Sequence, residues 1–211
     1  MTRRGLHLAI AGIIAATAMG DLQARADFEL IYEPTPNNGA AAAPGTFVYS
    51  AAFNTQPDPG TGQPAETLTT GSFVTLYDVP GLLNFTLNSA FASQFTLTEQ
   101  LLGVTPAFTG APDSATIPNL TLTYIGSSPL STSTIFTNVF SLTSQFTGTA
   151  PGVGFFAGQD TKGSGFSAGS PIGAIGRITQ PAAATPEPAS LVMLSLGLVG
   201  AGVGYRARRR A

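Results

Sequence analysis

The chain has no cysteine, no tryptophan and a single histidine in 211 residues, and only 9% of its residues are charged. Without cysteine there are no disulfides, no thiolate nucleophile and no cysteine-ligated zinc or iron–sulfur site. The histidine, His7, falls in the segment read below as a leader. Once that leader is removed, Ser-His-Asp and Cys-His catalysis are excluded, as are histidine-ligated zinc, copper and iron. A net charge of −2 offers no basic footprint for nucleic acid. No glycine-rich phosphate loop with lysine and no dinucleotide fingerprint occurs. No metal and no cofactor is therefore expected. Length fits one ordinary domain with appended segments.

What is there begins with two unusual ends. Arg3 and Arg4 precede an apolar stretch, residues 8–19, and a more polar segment then ends in Ala24-Arg25-Ala26. A basic region, a short apolar region and an A-x-A exit predict a secretory signal peptide over residues 1–26. The apolar stretch is well short of the ~20 residues that span a bilayer. Cleavage is expected after Ala26, with Ala24 and Ala26 as the small recognised residues; Ala18 or Gly20 offers a second site. The adjacent arginines leave general and twin-arginine export both open.

At the other end, Thr185-Pro186-Glu187-Pro188 leads into an uncharged run, residues 189–205, followed by Arg206, Arg208, Arg209 and Arg210. As a helix this run would be about 25 Å long, at the lower edge of a membrane span. The four arginines act as a stop-transfer cluster that holds the end in the cytoplasm. Gly197, Gly200, Gly202 and Gly204 form a small-residue face for a neighbouring helix.

The Pro-Glu-Pro motif, the apolar run and the terminal arginines resemble, in order and position, the PEP-CTERM sorting signal of Gram-negative bacteria. The resemblance implies recognition at Pro186, Glu187 and Pro188 by a membrane transpeptidase-like exosortase. It further implies export across the inner membrane, transient anchoring, and release to the cell surface or matrix of bacteria that make exopolysaccharide and biofilm. The prolines keep the motif extended, which suits a processing site.

Between the ends, two basic residues, Lys162 and Arg177, face nine acidic ones, so this part carries a charge of −7. Residues 114–159 contain no charged side chain, and all 14 Phe lie in the cargo. Phe85, Leu87, Phe91, Phe95 and Leu97 alternate with polar residues, as do Leu120, Leu122 and Tyr124, and then Phe136, Phe140, Leu142 and Phe146. Period-two alternation puts each set on one face of a strand or hairpin. Further strands are predicted over 28–32, 46–53, 72–79, 153–157 and 172–178. Turn clusters lie at 34–39, 56–62, 80–81, 110–113 and 163–171. The pattern predicts an all-β fold, an antiparallel sandwich or jelly roll, over residues 27–180. A proline-rich linker over 181–188 and a transmembrane helix with basic tail over 189–211 complete the organisation. The domain also resembles the β-rich domains found ahead of this sorting tail.

For chemistry the cargo offers carboxylates. Glu66, Asp78 and Glu99 lie on or near strands and would need to converge within roughly 5–10 Å for a glycosidase. Asp58, Asp113 and Asp160 sit in turns, where they either join a calcium site or cap their own backbone; their wide spacing favours capping. Thr96/Thr98 and Thr121/Thr123 alternate as on a solvent face, and a flat threonine rank of this kind could order water at an ice surface. Asn84-Phe85-Thr86 and Asn119-Leu120-Thr121 match the glycosylation sequon. The leading expectation is a non-enzymatic exported surface or matrix protein that associates with polysaccharide or with its own copies. The alternative is a carbohydrate-binding module or adhesin, marked by an exposed row of Tyr or Phe. An ice-binding protein and a glycosidase-like enzyme are the remaining readings.

Overall fold

The apolar alternation resolves into ten β-strands in the computed structural model, which describes residues 27–35, 42–55, 65–106, 109–165 and 167–183. They are β1 (Asp27–Glu33), β2 (Thr46–Asn54), β3 (Glu66–Thr67), β4 (Phe73–Tyr77), β5 (Leu82–Leu87), β6 (Phe95–Gln100), β7 (Asn119–Tyr124), β8 (Thr134–Ser144), β9 (Gly148–Lys162) and β10 (Pro171–Ala182). One sheet has the order β1-β2-β8-β5; the second has the order β10-β9-β4-β7-β6, with β3 added on β9. Every pairing is antiparallel. Among the described residues the only helix is a 3₁₀ turn, Ser89–Phe91, and none is long and apolar enough to cross a membrane. The leader, the PEP motif, the apolar run and the basic tail lie outside the described residues.

The expected all-β class is therefore observed as a two-sheet sandwich. The alternation over residues 85–97 is not one strand or hairpin, however. Phe85 and Leu87 belong to β5 in the first sheet, whereas Phe95 and Leu97 belong to β6 in the second. The chain crosses between sheets through the 3₁₀ turn, which Asn88 caps by accepting from the Ala90 N–H. Pro181 and Ala182, assigned by composition to the linker, are the last residues of β10 and pair with Thr149 and Gly148.

Aromatic residues join the sheets. Phe95 on β6 meets Phe136 on β8 edge-on, with ring centroids 4.8 Å apart, and Phe28 on β1 at 6.1 Å. It also meets Tyr124 on β7 at 5.4 Å. Phe95 thus touches rings of both sheets, in the stacked and edge geometries that aromatic quadrupoles prefer. The approach of β1 to β9 is close: a Cβ at Gly158 would overlap the Phe28 carbonyl oxygen, so only glycine fits. Tyr49, fully buried on β2, stacks on Phe140 and donates its hydroxyl to the Thr179 carbonyl of β10, 3.1 Å away.

The register fixes two distinct ends. One end carries β3, the start of β4, the end of β7, the start of β8 and the β9–β10 turn. The opposite end carries the end of β4, the start of β5, the end of β6, the start of β7 and the end of β10. These are called here the turn end and the tail end.

Two outcomes follow from this core. Replacing Phe95 by Ala should cost about 3–5 kcal/mol in urea unfolding followed by circular dichroism, as expected for an aromatic deleted from a packed core. Burial also pushes the Tyr49 phenol far above the usual tyrosine range, with Tyr32 adding to the effect. In the unfolded chain Tyr49 ionises near pH 10 while the folded phenol keeps its proton, so stability falls as pH rises beyond 10. Tyr49→Phe should flatten that alkaline decline while losing a constant increment at pH 8.

Candidate functional site

The outer face of the second sheet is where the threonine alternation points, and its centre, over β4 and β7, is covered. Residues 101–106 and 109–118, which connect β6 to β7, run over this face. The Val104 carbonyl accepts from the Thr75 hydroxyl at 2.8 Å and from the Tyr77 hydroxyl at 2.7 Å. Thr121 is buried beneath the same cover, its hydroxyl 3.0 Å from that of Thr75. At the far side a Cβ on Gly173 of β10 would run into the Pro106 ring, so the cover reaches across the sheet.

The cover is pinned by one side chain. Asn119, fully buried, accepts from the Asp78 N–H at 2.7 Å and donates to the Leu101 carbonyl at 3.1 Å and to Asp113 Oδ1 at 2.9 Å. Asp113 Oδ2 accepts from the Gly103 N–H, and Asp78 Oδ1 from the Ser114 N–H. These carboxylates bind backbone and amide donors, the capping role open to turn aspartates. Buried Asn119 cannot serve as a glycan acceptor, whereas Asn84 is exposed on β5. The flat threonine rank is interrupted: register sets Thr96 beside Thr123 and Thr98 beside Thr121, but Thr121 is hidden and Thr123 half-buried, leaving Thr96 and Thr98 exposed. An ice-binding surface built on Thr96, Thr98, Thr121 and Thr123 is thereby corrected, because the β6–β7 connection lies over part of it.

The open polar surface is at the turn end. Residues 69–72 between β3 and β4, residues 159–161 of β9, Gly169 in the β9–β10 turn and Pro171 at the start of β10 line a cleft of about 320 Å³. The turn at 69–72 is closed by Ser72 N–H to the Thr69 carbonyl at 2.8 Å and by Thr69 N–H to Ser72 Oγ at 3.0 Å. Gly71 takes a φ of +94°, which glycine adopts without strain. The Thr69 and Thr161 hydroxyls share a hydrogen bond of 2.8 Å that joins the two segments in the wall, and Thr70 donates to the Gly126 carbonyl. Gly169, with φ +87°, leaves open space where a side chain would stand. Asp160 is the only carboxylate in the lining and is 3% exposed. The surroundings are hydroxyls, an amide and backbone, a lining matched to neutral hydrogen-bonding groups.

The carboxylates considered for acid–base work do not converge here. Glu66 opposes Lys162 at the turn end, and Asp78 follows β4 at the tail end. That separation is about 25 Å along the strands. Glu99 is exposed on β6 opposite Leu120. Register instead places Glu66 and Lys162 on one face with Asp160, a neighbourhood that sequence spacing alone did not signal. Among the described residues no group of three His, Cys, Asp or Glu side chains could hold a metal. No described Phe or Tyr is fully exposed, and Phe155, on the outer face, lies under Arg177 with the guanidinium 4.5 Å from its ring centre. The exposed aromatic row expected of a sugar-stacking module is absent among the described residues. Asp58, Ala24, Ala26, Pro186, Glu187, Pro188, Arg206, Arg208, Arg209 and Arg210 lie outside the described residues.

Fold and surface define an all-β sandwich with a hydroxyl-lined polar cleft at one end and its C-terminal exit at the other. Residues 184–210 match the family model described as the PEP-CTERM protein-sorting motif. The chain thus carries the sorting signal that marks exported substrates of an exosortase, as the Pro-Glu-Pro motif led one to expect. Comparisons with curated proteins and with solved structures gave no match.

Replacing Asn119 by Ala removes three hydrogen bonds and leaves buried partners behind, each worth about 1–3 kcal/mol when unsatisfied. The variant should lose several-fold protection from protease across residues 101–118 before the sandwich unfolds. Unchanged cleavage kinetics in that segment would show that Asn119 does not pin the cover.

Proposed function

We propose that the protein is a non-enzymatic cell-surface or matrix component. In this reading it is exported by its leader, held briefly by the apolar run at 189–205, and processed near Pro186, Glu187 and Pro188 by an exosortase. The observation that carries the reading is where the chain leaves the fold. β10 ends at Ala182, and the matched sorting signal begins at residue 184. The cargo is a single sandwich joined directly to its address, with almost no chain in between.

The cleft lies at the turn end, away from that exit, and so faces outward from an anchored chain. Its lining of threonine, serine, glutamine and backbone groups suits a neutral polyhydroxylated partner such as exopolysaccharide, bound by hydrogen bonds and not by aromatic stacking. One carboxylate in the lining is one fewer than glycoside hydrolysis requires, which supports a binding role over a hydrolytic one. Low charge also permits close association, since net charge is what keeps proteins apart.

Intact mass measurement of the protein from fractionated cells, with and without the exosortase, tests the reading. The expected result is a chain that starts at Asp27 and ends near the motif only where the enzyme is present. A full-length C-terminus in both strains would remove processing from the account.

A further inference from the structure

The tail end of the sandwich has a surface that the sorting role has not used. Leu83, just inside β5, is 68% exposed, and Leu101 and Leu102, at the apex where the chain turns out of β6, are 58% and 62% exposed. These three leucines share one end of the molecule. Leu101 is tied to the start of β7 through its carbonyl and Asn119, while Leu82 pairs with Ser144, whose hydroxyl reaches the Pro80 carbonyl. Single exposed leucines are ordinary on a protein surface. Three at the end from which a membrane-directed tail departs are not explained by packing within the chain.

We propose that this end is a lipid-facing foot, with Leu83, Leu101 and Leu102 resting in the bilayer interface while the tail is inserted. The proposal rests on the reading of residues 189–205 as a membrane span. Chain length supports it. Between Ala182, the last residue of β10, and Ala189 lie six residues, which reach about 20 Å when extended. An inserted tail therefore keeps the tail end within that distance of the bilayer and holds the leucines at high local concentration beside it. Asp78 and Asp113 do not oppose the contact directly, whereas Glu99, exposed two residues before Leu101, would lie beside it. Asp78 and Asp113 turn carboxylate oxygens onto the Ser114 and Gly103 N–H groups, inside the cover. Leucine is among the apolar residues that interfacial segments bury at the boundary of headgroups and acyl chains.

The chain contains no tryptophan, so a single introduced tryptophan reports its own site alone. Leu102→Trp places the reporter on the foot. Ile135→Trp places it on β8 at the turn end, where Ile135 is also 62% exposed. Each full-length variant is reconstituted into phosphatidylcholine vesicles, part of the lipid carrying bromine on its acyl chains, and vesicle flotation is scored together with emission. The expected result is flotation of both variants, with a blue-shifted Leu102→Trp emission that loses most of its intensity to bromine and an Ile135→Trp emission that bromine leaves unchanged. Flotation with both reporters unquenched would overturn the foot and leave the anchor standing. Failure to float would overturn the anchor and the foot together. A blue shift at Leu102→Trp without bromine quenching, accompanied by a doubled mass, would assign the leucines to a contact between copies and overturn the lipid assignment.

Discussion

The closure of two sheets over one layer of aromatic rings is the constraint on which the rest depends. The cargo has few charges and no covalent cross-links, so its stability comes from buried apolar surface and from satisfied backbone groups. Phe95 concentrates the first of these, touching Phe28 and Phe136 from one sheet and Tyr124 from its own. Gly158 sets how near β1 can come to β9, and so how tightly that layer shuts. With the sheets fixed in register, the two ends acquire different surfaces: hydroxyl-lined at the turns of β4 and β9, leucine-bearing where the tail departs.

Much of the fold is legible in the sequence because period-two alternation needs no partner to be seen. The expected strand at 46–53 is β2, 120–124 falls within β7, and 172–178 falls within β10. Alternation records which side chains share a face, and it does not record what covers that face. Thr121 and Thr96 read alike in the sequence, yet the first lies under Val104 and the second faces solvent. The same limit explains the crossing at Ser89–Phe91, where the apolar period continues although the chain changes sheets. β3 was not visible because two residues, Glu66 and Thr67, carry no period.

The sorting tail was legible for a different reason. A motif, an apolar run and a basic cluster follow one another within 27 residues, and contiguous signals survive without any knowledge of folding. The cleft is the opposite case. It draws short neutral pieces from three distant parts of the chain, and none of Thr69, Gln159 or Gly169 stands out by itself. Glu66 and Asp160 illustrate the same point, since register and not spacing makes them neighbours.

The central claim is that the domain is displayed with its turn end outward. Lys162 is the sole lysine of the chain and lies at that end, opposite Glu66. Labelling intact cells with a membrane-impermeant amine reagent, followed by peptide mass spectrometry, reads its accessibility directly. The account predicts that Lys162 is modified on intact cells as fast as in the purified protein. Protection of Lys162 until the cells are lysed would contradict it.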